Sequence, residues 1–184
     1  MTAATTVLPG LTTGTWSIDP THSEVGFTVR HLMSKVRGSF SEFSGDVVVA
    51  GDLAASTATA EISIASVDTR NEQRDTHVRS AEILDVERYP AMTFKATGVR
   101  QDGADYVVTG DLTITDTTRP VELAVEFLGV DTDPWGGTRA GFSARTQISR
   151  KDFGIDFNIP LEGDKLLLGD KIDINLEIQA VRQN

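Results

Sequence analysis

The chain has 184 residues, 24% charged and 39% hydrophobic, an ordinary globular composition with length enough for one proper core. Its 27 Asp and Glu outweigh 17 Lys and Arg, and the formal charge of −10 repels phosphate backbones and sets nucleic acid aside as a partner. With no Cys, there is neither a disulfide framework nor a thiolate nucleophile.

Residues 1–14, MTAATTVLPGLTTG, carry no charged n-region and no long apolar run. They read as a flexible tail rather than a signal peptide or a membrane span, with the cytoplasm as the default location. A single domain is expected over 15–184. Trp16 and Ile18 open the first strand. From His22 to His31, Val25, Phe27 and Val29 alternate with Glu24, Thr28 and Arg30, the period-two mark of a half-buried strand. Lys35 to Ser39, with Gly38, reads as a bend. Phe40, Phe43, Val47 and Val49 follow in strand-like surroundings, Gly51-Asp52 as a turn, and Thr57 to Ser66 as another strand with Ile62 and Ile64 inward.

The longest break in this alternation runs from Asp68 to Phe94 and reads as a helical excursion around residues 70–84. Thr69 and Glu72 fit a capping box. Asp75 and Arg79 have favourable i, i+4 spacing. Val78, Ala81 and Leu84 share one side, and Pro90 stops the helix. The excursion reads either as a solvated surface helix or as a cover whose Arg70, Asn71, Arg74 and His77 rim a pocket mouth.

Met92, Phe94 and Ala96 resume the strands, and Asp102-Gly103 is a strong hairpin signal. Tyr106, Val108, Leu112 and Ile114 form the next inward set, and Asp116 to Pro120 is expected to turn the chain. Val121, Leu123, Val125 and Phe127 alternate with acids, and Asp133 to Gly137 is a turn cluster. Ala140, Phe142, Ala144, Thr146 and Ile148 share a face. Arg150 to Gly163 is irregular, and Ile172, Ile174, Leu176 and Ile178 form the clearest strand.

The pattern predicts an all-β protein of about eight antiparallel strands joined mostly by short turns. A sandwich and a barrel share this signature. The long meandering strands favour the barrel, which also removes exposed edges. Eight strands enclose room for side chains or one small ligand. The inward set mixes Phe with Ala, which fits either a ligand cavity or a tapered, filled core.

Catalytic and metal signatures are weak. His22 and His31 lie nine positions apart, about 30 Å along one straight strand. No His-x-His spacing occurs, so no metal site is expected. Ser23 beside His22 does not make a triad, because neighbouring strand residues point apart. Asp152-Phe153-Gly154 matches a kinase triplet by letters alone, without the loops that chemistry needs. No catalytic residue is assigned. Arg119 and Arg150 follow alternating strands at barrel ends, where an Arg serves as a surface ion-pair partner or meets a ligand head group.

Several segments, in order, resemble the YceI-like family of polyisoprenoid-binding proteins. They are Trp16-Ser17-Ile18-Asp19-Pro20 with His22-Ser23, Phe27 through His31-Leu32, and Val36-Arg37-Gly38 with Phe40 and Phe43-Ser44-Gly45. Asp68 to Arg70, His77 to Ser80, Leu84-Asp85-Val86, Tyr89-Pro90, Thr93-Phe94 and Gly110 to Ile114 follow. Thr118-Arg119-Pro120-Val121 and Arg150 with Asp152-Phe153-Gly154 complete the set. Each piece is weak alone, but their order from Trp16 to Val181 is specific. Asp116 stands where the family usually has Gly, which changes only a local turn.

The resemblance implies an eight-stranded antiparallel lipocalin-like β-barrel. Its long apolar cavity would take a polyprenyl quinone or polyprenyl phosphate, for storage, sequestration or transport, without a cofactor. It also implies homodimers in many members and export in many, from which this chain departs. The expected lipid-binding walls are Phe27, Val29, Phe40, Phe43, Ile62, Ile64, Met92, Phe94, Leu112, Ile114, Val125, Phe127, Phe142, Ile148, Leu176 and Ile178. The expected polar mouth is His31, Arg70, Asn71, His77, Arg119, Arg150 and Asp152. Two other readings stay open: an enzyme acting on an isoprenoid or quinone with His31 or His77 as acid-base group, and a filled barrel with a structural, interaction or stress-related role.

Overall fold

A computed structural model of the chain describes residues 8–184. The alternating segments become strands β1 Gly14–Ile18, β2 Glu24–His31, β3 Ser34–Phe40, β4 Phe43–Val49, β5 Thr57–Ser63 and β6 Val67–Asp68. After one short helix, α1 Glu72–Arg79, come β7 Ala91–Asp102, β8 Asp105–Ile114, β9 Thr117–Thr132, β10 Thr138–Ser149 and β11 Leu168–Arg182. All pairings are antiparallel. Segments β1 and β2 lie end to end along one edge of β11, β4 and β3 lie along β1 and β2, and β5 and β6 lie along β4 and β3. These three broken staves and the unbroken β7 to β11 make an eight-staved, up-and-down barrel, closed where β11 meets β1. The barrel expectation holds.

Local turn chemistry corrects several expectations. Lys35 to Ser39 is not a bend but the body of β3; the turn lies at Leu32-Met33, with Leu32 at φ +53°. Gly38 is there for a different reason: a Cβ on it would collide with the ring of Phe27, its cross-strand partner. Asp116 to Pro120 is not a turn either. Thr115 and Asp116 make the reversal, and β9 already runs from Thr117 with Pro120 paired opposite Asp111.

The 70–84 excursion holds only eight helical residues, followed by a series of turns to Tyr89. The Thr69–Glu72 capping box does not form. Asn71 is the N-cap, its side chain accepting from the Arg74 N–H. Thr69 is buried instead, and both its N–H and its hydroxyl donate to Asp75, at 2.9 and 2.5 Å. Asp75 is thereby drawn inward and makes no ion pair with Arg79, whose guanidinium donates to Thr76. Val78 and Leu84 pack inward, whereas Ala81 is exposed.

The excursion exists because β5 stops pairing with β7 at Ser63–Ala91. Ile64 donates to the Pro90 carbonyl at 2.9 Å, and the chain then turns through Ile64–Ser66 to pair briefly with β3. The gap this leaves at one end of the barrel is filled by α1, the following turns and the segment 150–167. Beneath them Ile64, Val67, Leu84, Phe153 and Ile155 form a continuous apolar cluster.

The other end is closed by Trp16, fully buried with Val49, Ala140 and Ala180. Its indole N–H donates to the Thr12 carbonyl at 3.0 Å. Of the segment expected as a tail, residues 1–7 lie outside the described residues. Leu11 packs against the Trp16 cluster, and Arg182 donates to Thr12 and Thr13. Arg139 ties two turns together at this end, donating to Asp19 at 2.7 Å and to Asp133 at 2.8 Å. The Arg139 hydrogen bond, followed by that from His22, pulls the Asp19 carboxyl down to about 2.

Candidate functional site

Inside the barrel lies a cavity of about 510 Å³. It reaches from Leu11 and Phe127 near the Trp16 end to His31, His77 and Phe157 near the helical end. The lumen is therefore not a filled core. Inward residues on alternate positions build its wall, because side chains on a strand point to opposite faces by turns. Two glycines help to keep it open. The Phe27 ring lies across Gly38, and the Phe94 ring lies across Gly110, where a Cβ would collide with it. Both rings thus lie along the sheet instead of standing into the lumen.

Of the expected wall residues, Phe27, Val29, Phe40, Phe43, Ile62, Met92, Phe94, Leu112, Ile114, Val125, Phe127, Phe142, Ile148, Leu176 and Ile178 line the cavity. Ile64 does not. It falls in the turn after β5 and is buried outside the lumen, in the cluster under the excursion.

The polar expectations divide more sharply. His31, His77 and Arg150 line the cavity, and Arg74 joins them. Arg70 is exposed at φ +64°, with its N–H donating to Asp68. Asn71 is occupied as the helix cap. Arg119, paired opposite Leu112 at the start of β9, is exposed and donates to the backbone carbonyl of Asp152 at 3.0 Å, while the Asp152 side chain is solvent-exposed. None of these four lines the cavity.

Arg150 lines the cavity as expected, but it is buried rather than at the surface. It is only 5% exposed. Its Nε donates to Gly169 O at 2.8 Å, and its Nη1 to Ile155 O and Phe157 O at 3.1 and 3.0 Å. These bonds fix the segment after β10 against the start of β11. Burial pushes the guanidinium below its ordinary value, with Asp170 and Asp156 acting the other way through space. Arg74 donates to Thr69 Oγ1 and to Thr69 O, at 2.7 and 2.6 Å. His77 donates to or accepts from Glu82 at 2.7 Å and meets Phe157 edge-to-face.

Sequence reasoning missed Ile155, Phe157 and Ile159, which line the mouth from the irregular segment. No periodicity marks them, because each side chain there is placed by the carbonyl contacts of Arg150 and by Asn158, whose side chain bonds both backbone groups of Leu168. Exposed apolar side chains flank this mouth: Leu32, Met33, Ile159 and Leu166. The Leu32 N–H donates to Leu167 O at 2.9 Å, joining the β2–β3 hairpin to the segment.

Among the described residues no group of three or more His, Cys, Asp or Glu is placed to hold a metal. No helix there is long and apolar enough to cross a membrane. What the arrangement offers is an apolar tube with a polar, cationic end.

A family profile described as the YceI-like domain matches residues 16–180. Protein YceI of Escherichia coli O17:K52:H18 is 38% identical over 164 residues, covering 88% of this chain and 83% of that protein. Among solved structures, BcnA of Burkholderia cenocepacia superposes with a TM-score of 0.75 at 23% identity, over 89% of this chain and 99% of that one. A polyisoprenoid binding domain from Saccharophagus degradans, implicated in plant cell wall breakdown, gives 0.71 at 15% identity, over 91% and 98%. At those identities the two structures share the fold.

Proposed function

Because this chain belongs to the YceI-like family, we propose that it binds a polyisoprenoid or similar long-chain amphiphile in the barrel, for storage, sequestration or transport, without chemical conversion. One observation carries the reading: an apolar cavity of about 510 Å³ whose charged lining residues are confined to one end. An isoprenoid tail has no polar group along its length, so it asks only for apolar wall. Burying it yields roughly 25 cal/mol per Å², with no directional contact needed. The polyisoprenoid binding domain of Saccharophagus degradans, built on the same fold, supports the ligand class.

The wall itself supplies the test. Phe94→Arg and Phe127→Arg each place a charge in the lumen, where burial without a partner is costly. Each variant, checked for folding by circular dichroism, is expected to lose uptake of a polyprenyl quinone or phosphate. Undiminished uptake by both folded variants would show that the ligand does not enter the barrel.

A further inference from the structure

The charge around the lumen is one-sided. The chain has 27 acidic residues against 17 basic ones. Yet among the described residues no Asp or Glu lines the cavity, whereas Arg74, Arg150, His31 and His77 all do. They share one end: His31 pairs with Leu168 at the start of β11, Arg150 follows directly on β10, and Arg74 and His77 stand on α1.

Arg150 is the extreme case. A buried cation is ordinarily paired with an anion, because removing its hydration is costly. Here the three contacts are neutral carbonyls, of Gly169, Ile155 and Phe157. No carboxylate forms an ion pair with Arg150 among the described residues. The structural task of holding the segment after β10 uses Nε and Nη1 alone, and Nη2 has no hydrogen-bond partner among the described residues. Arg74 is partly compensated, since the Thr69 it binds also binds Asp75. Arg150 has no such relay: Asp170 and Asp156 act on it only through space, and neither reaches its guanidinium as an ion pair.

Building on the lipid-binding reading, we infer that the ligand carries an oxyanion head group, a phosphate or carboxylate, seated at Nη2 of Arg150 with Arg74 as the second cation. The guanidinium fork suits such oxygens, and charge-assisted bonds are the strong ones. The tail then runs down the lumen toward Trp16, and the head stays at the mouth. An uncharged quinone or alcohol of the same length fills the tube but leaves Nη2 of Arg150 without a charged partner.

The experiment compares geranylgeranyl phosphate, geranylgeraniol and inorganic phosphate on the purified full chain, by native mass spectrometry and fluorescence competition. The phosphate ester is expected to bind roughly tenfold or more tightly than the alcohol, as a charged hydrogen bond in a desolvated site implies. The preference should persist in moderate salt, and inorganic phosphate alone should bind far more weakly than the ester. Equal affinity of ester and alcohol would overturn the head-group inference while leaving the lipid-binding barrel standing. Binding of neither would overturn both. Inorganic phosphate binding as tightly as the ester would mark a free-anion site and overturn the lipid source. Arg150→Gln should abolish the preference. Because that variant loses three carbonyl contacts, Arg150→Lys, which keeps the charge but not the fork, serves beside it and should lose most of the preference. A full preference in either folded variant would overturn the assignment to Arg150.

Discussion

His77 on α1 and Phe157 on the segment after β10 meet edge-to-face across the cavity mouth, ring centroids 4.7 Å apart and planes at 89°. Both line the lumen, and they come from the two elements that fill the gap where β5 leaves β7. The pair stands at the end of the lumen that carries its charged lining residues, and we expect exchange to run past it. Phe157→Ala should cost about 1 kcal/mol through the lost aromatic contact. It should speed release of a bound fluorescent prenyl lipid several-fold, read by stopped-flow displacement. An unchanged release rate would show that exchange does not pass between these rings.

Gly110 and Phe94 make a second prediction. A Cβ at Gly110 would strike both the Phe94 ring and the backbone carbonyl of Lys95. The ring lines the lumen, so its displacement disturbs the wall, and the carbonyl cannot move cheaply. Gly110→Ala is therefore expected to lower stability by about 1–3 kcal/mol, as overpacking does, and to weaken lipid uptake as well. Urea denaturation and a binding titration measure the two effects. A stability within 0.5 kcal/mol of wild type, about the scatter of an ordinary surface change, would contradict this account of the wall.

The wall of the barrel was legible in the sequence and its mouth was not, for physical reasons. Phe27 and Val29, or Leu176 and Ile178, share a face because the strand period is two, and that period survives as long as the chain stays in the sheet. Ile64 sits in the same phase as Ile62 but misses the lumen because the chain leaves the sheet at Ser63. Gly38 looked like a bend and is instead the space that the Phe27 ring occupies, which only cross-strand pairing discloses. At the mouth, placement follows individual hydrogen bonds. Thr69 could cap α1 by its spacing, but Asp75 takes its hydroxyl and Asn71 caps instead. Arg70 and Arg74 are equally basic by letter. One is exposed at positive φ, and the other bends back to Thr69 and reaches the cavity.

The closed end should report on pH. Arg139, and then His22, hold the Asp19 carboxyl down to about 2 from its ordinary 3.8, and the Gly137 N–H and Arg139 lower Asp133 as well. A carboxyl depressed in the folded state stabilises it above the unfolded value, and that stability is lost as pH falls through the folded value. For Asp19 the window runs from near 4 down to about 2. Arg139→Gln should therefore be less stable than wild type at pH 5, with the difference shrinking toward pH 2. Urea midpoints at pH 5, 4, 3 and 2 measure it, and a difference that stays constant across the window would refute the link.

Trp16 is the largest fully buried side chain and the centre of the plug at that end. Trp16→Ala should cost about 3–5 kcal/mol, the usual range for emptying a buried aromatic site. Trp135 is 82% exposed, so it serves as an internal control. Trp135→Ala should shift the urea midpoint little, and comparable losses from both substitutions would contradict the assignment of Trp16 as the plug.

The most direct test of the central claim is mass spectrometry of the freshly purified protein, native and then denatured, with its lipid extract analysed alongside. A lipid-binding barrel predicts one polyprenyl amphiphile at about one per chain in the native spectrum, released on denaturation, and a head group carrying negative charge. A protein that arrives empty and takes up no added polyprenyl phosphate, quinone or alcohol would contradict it.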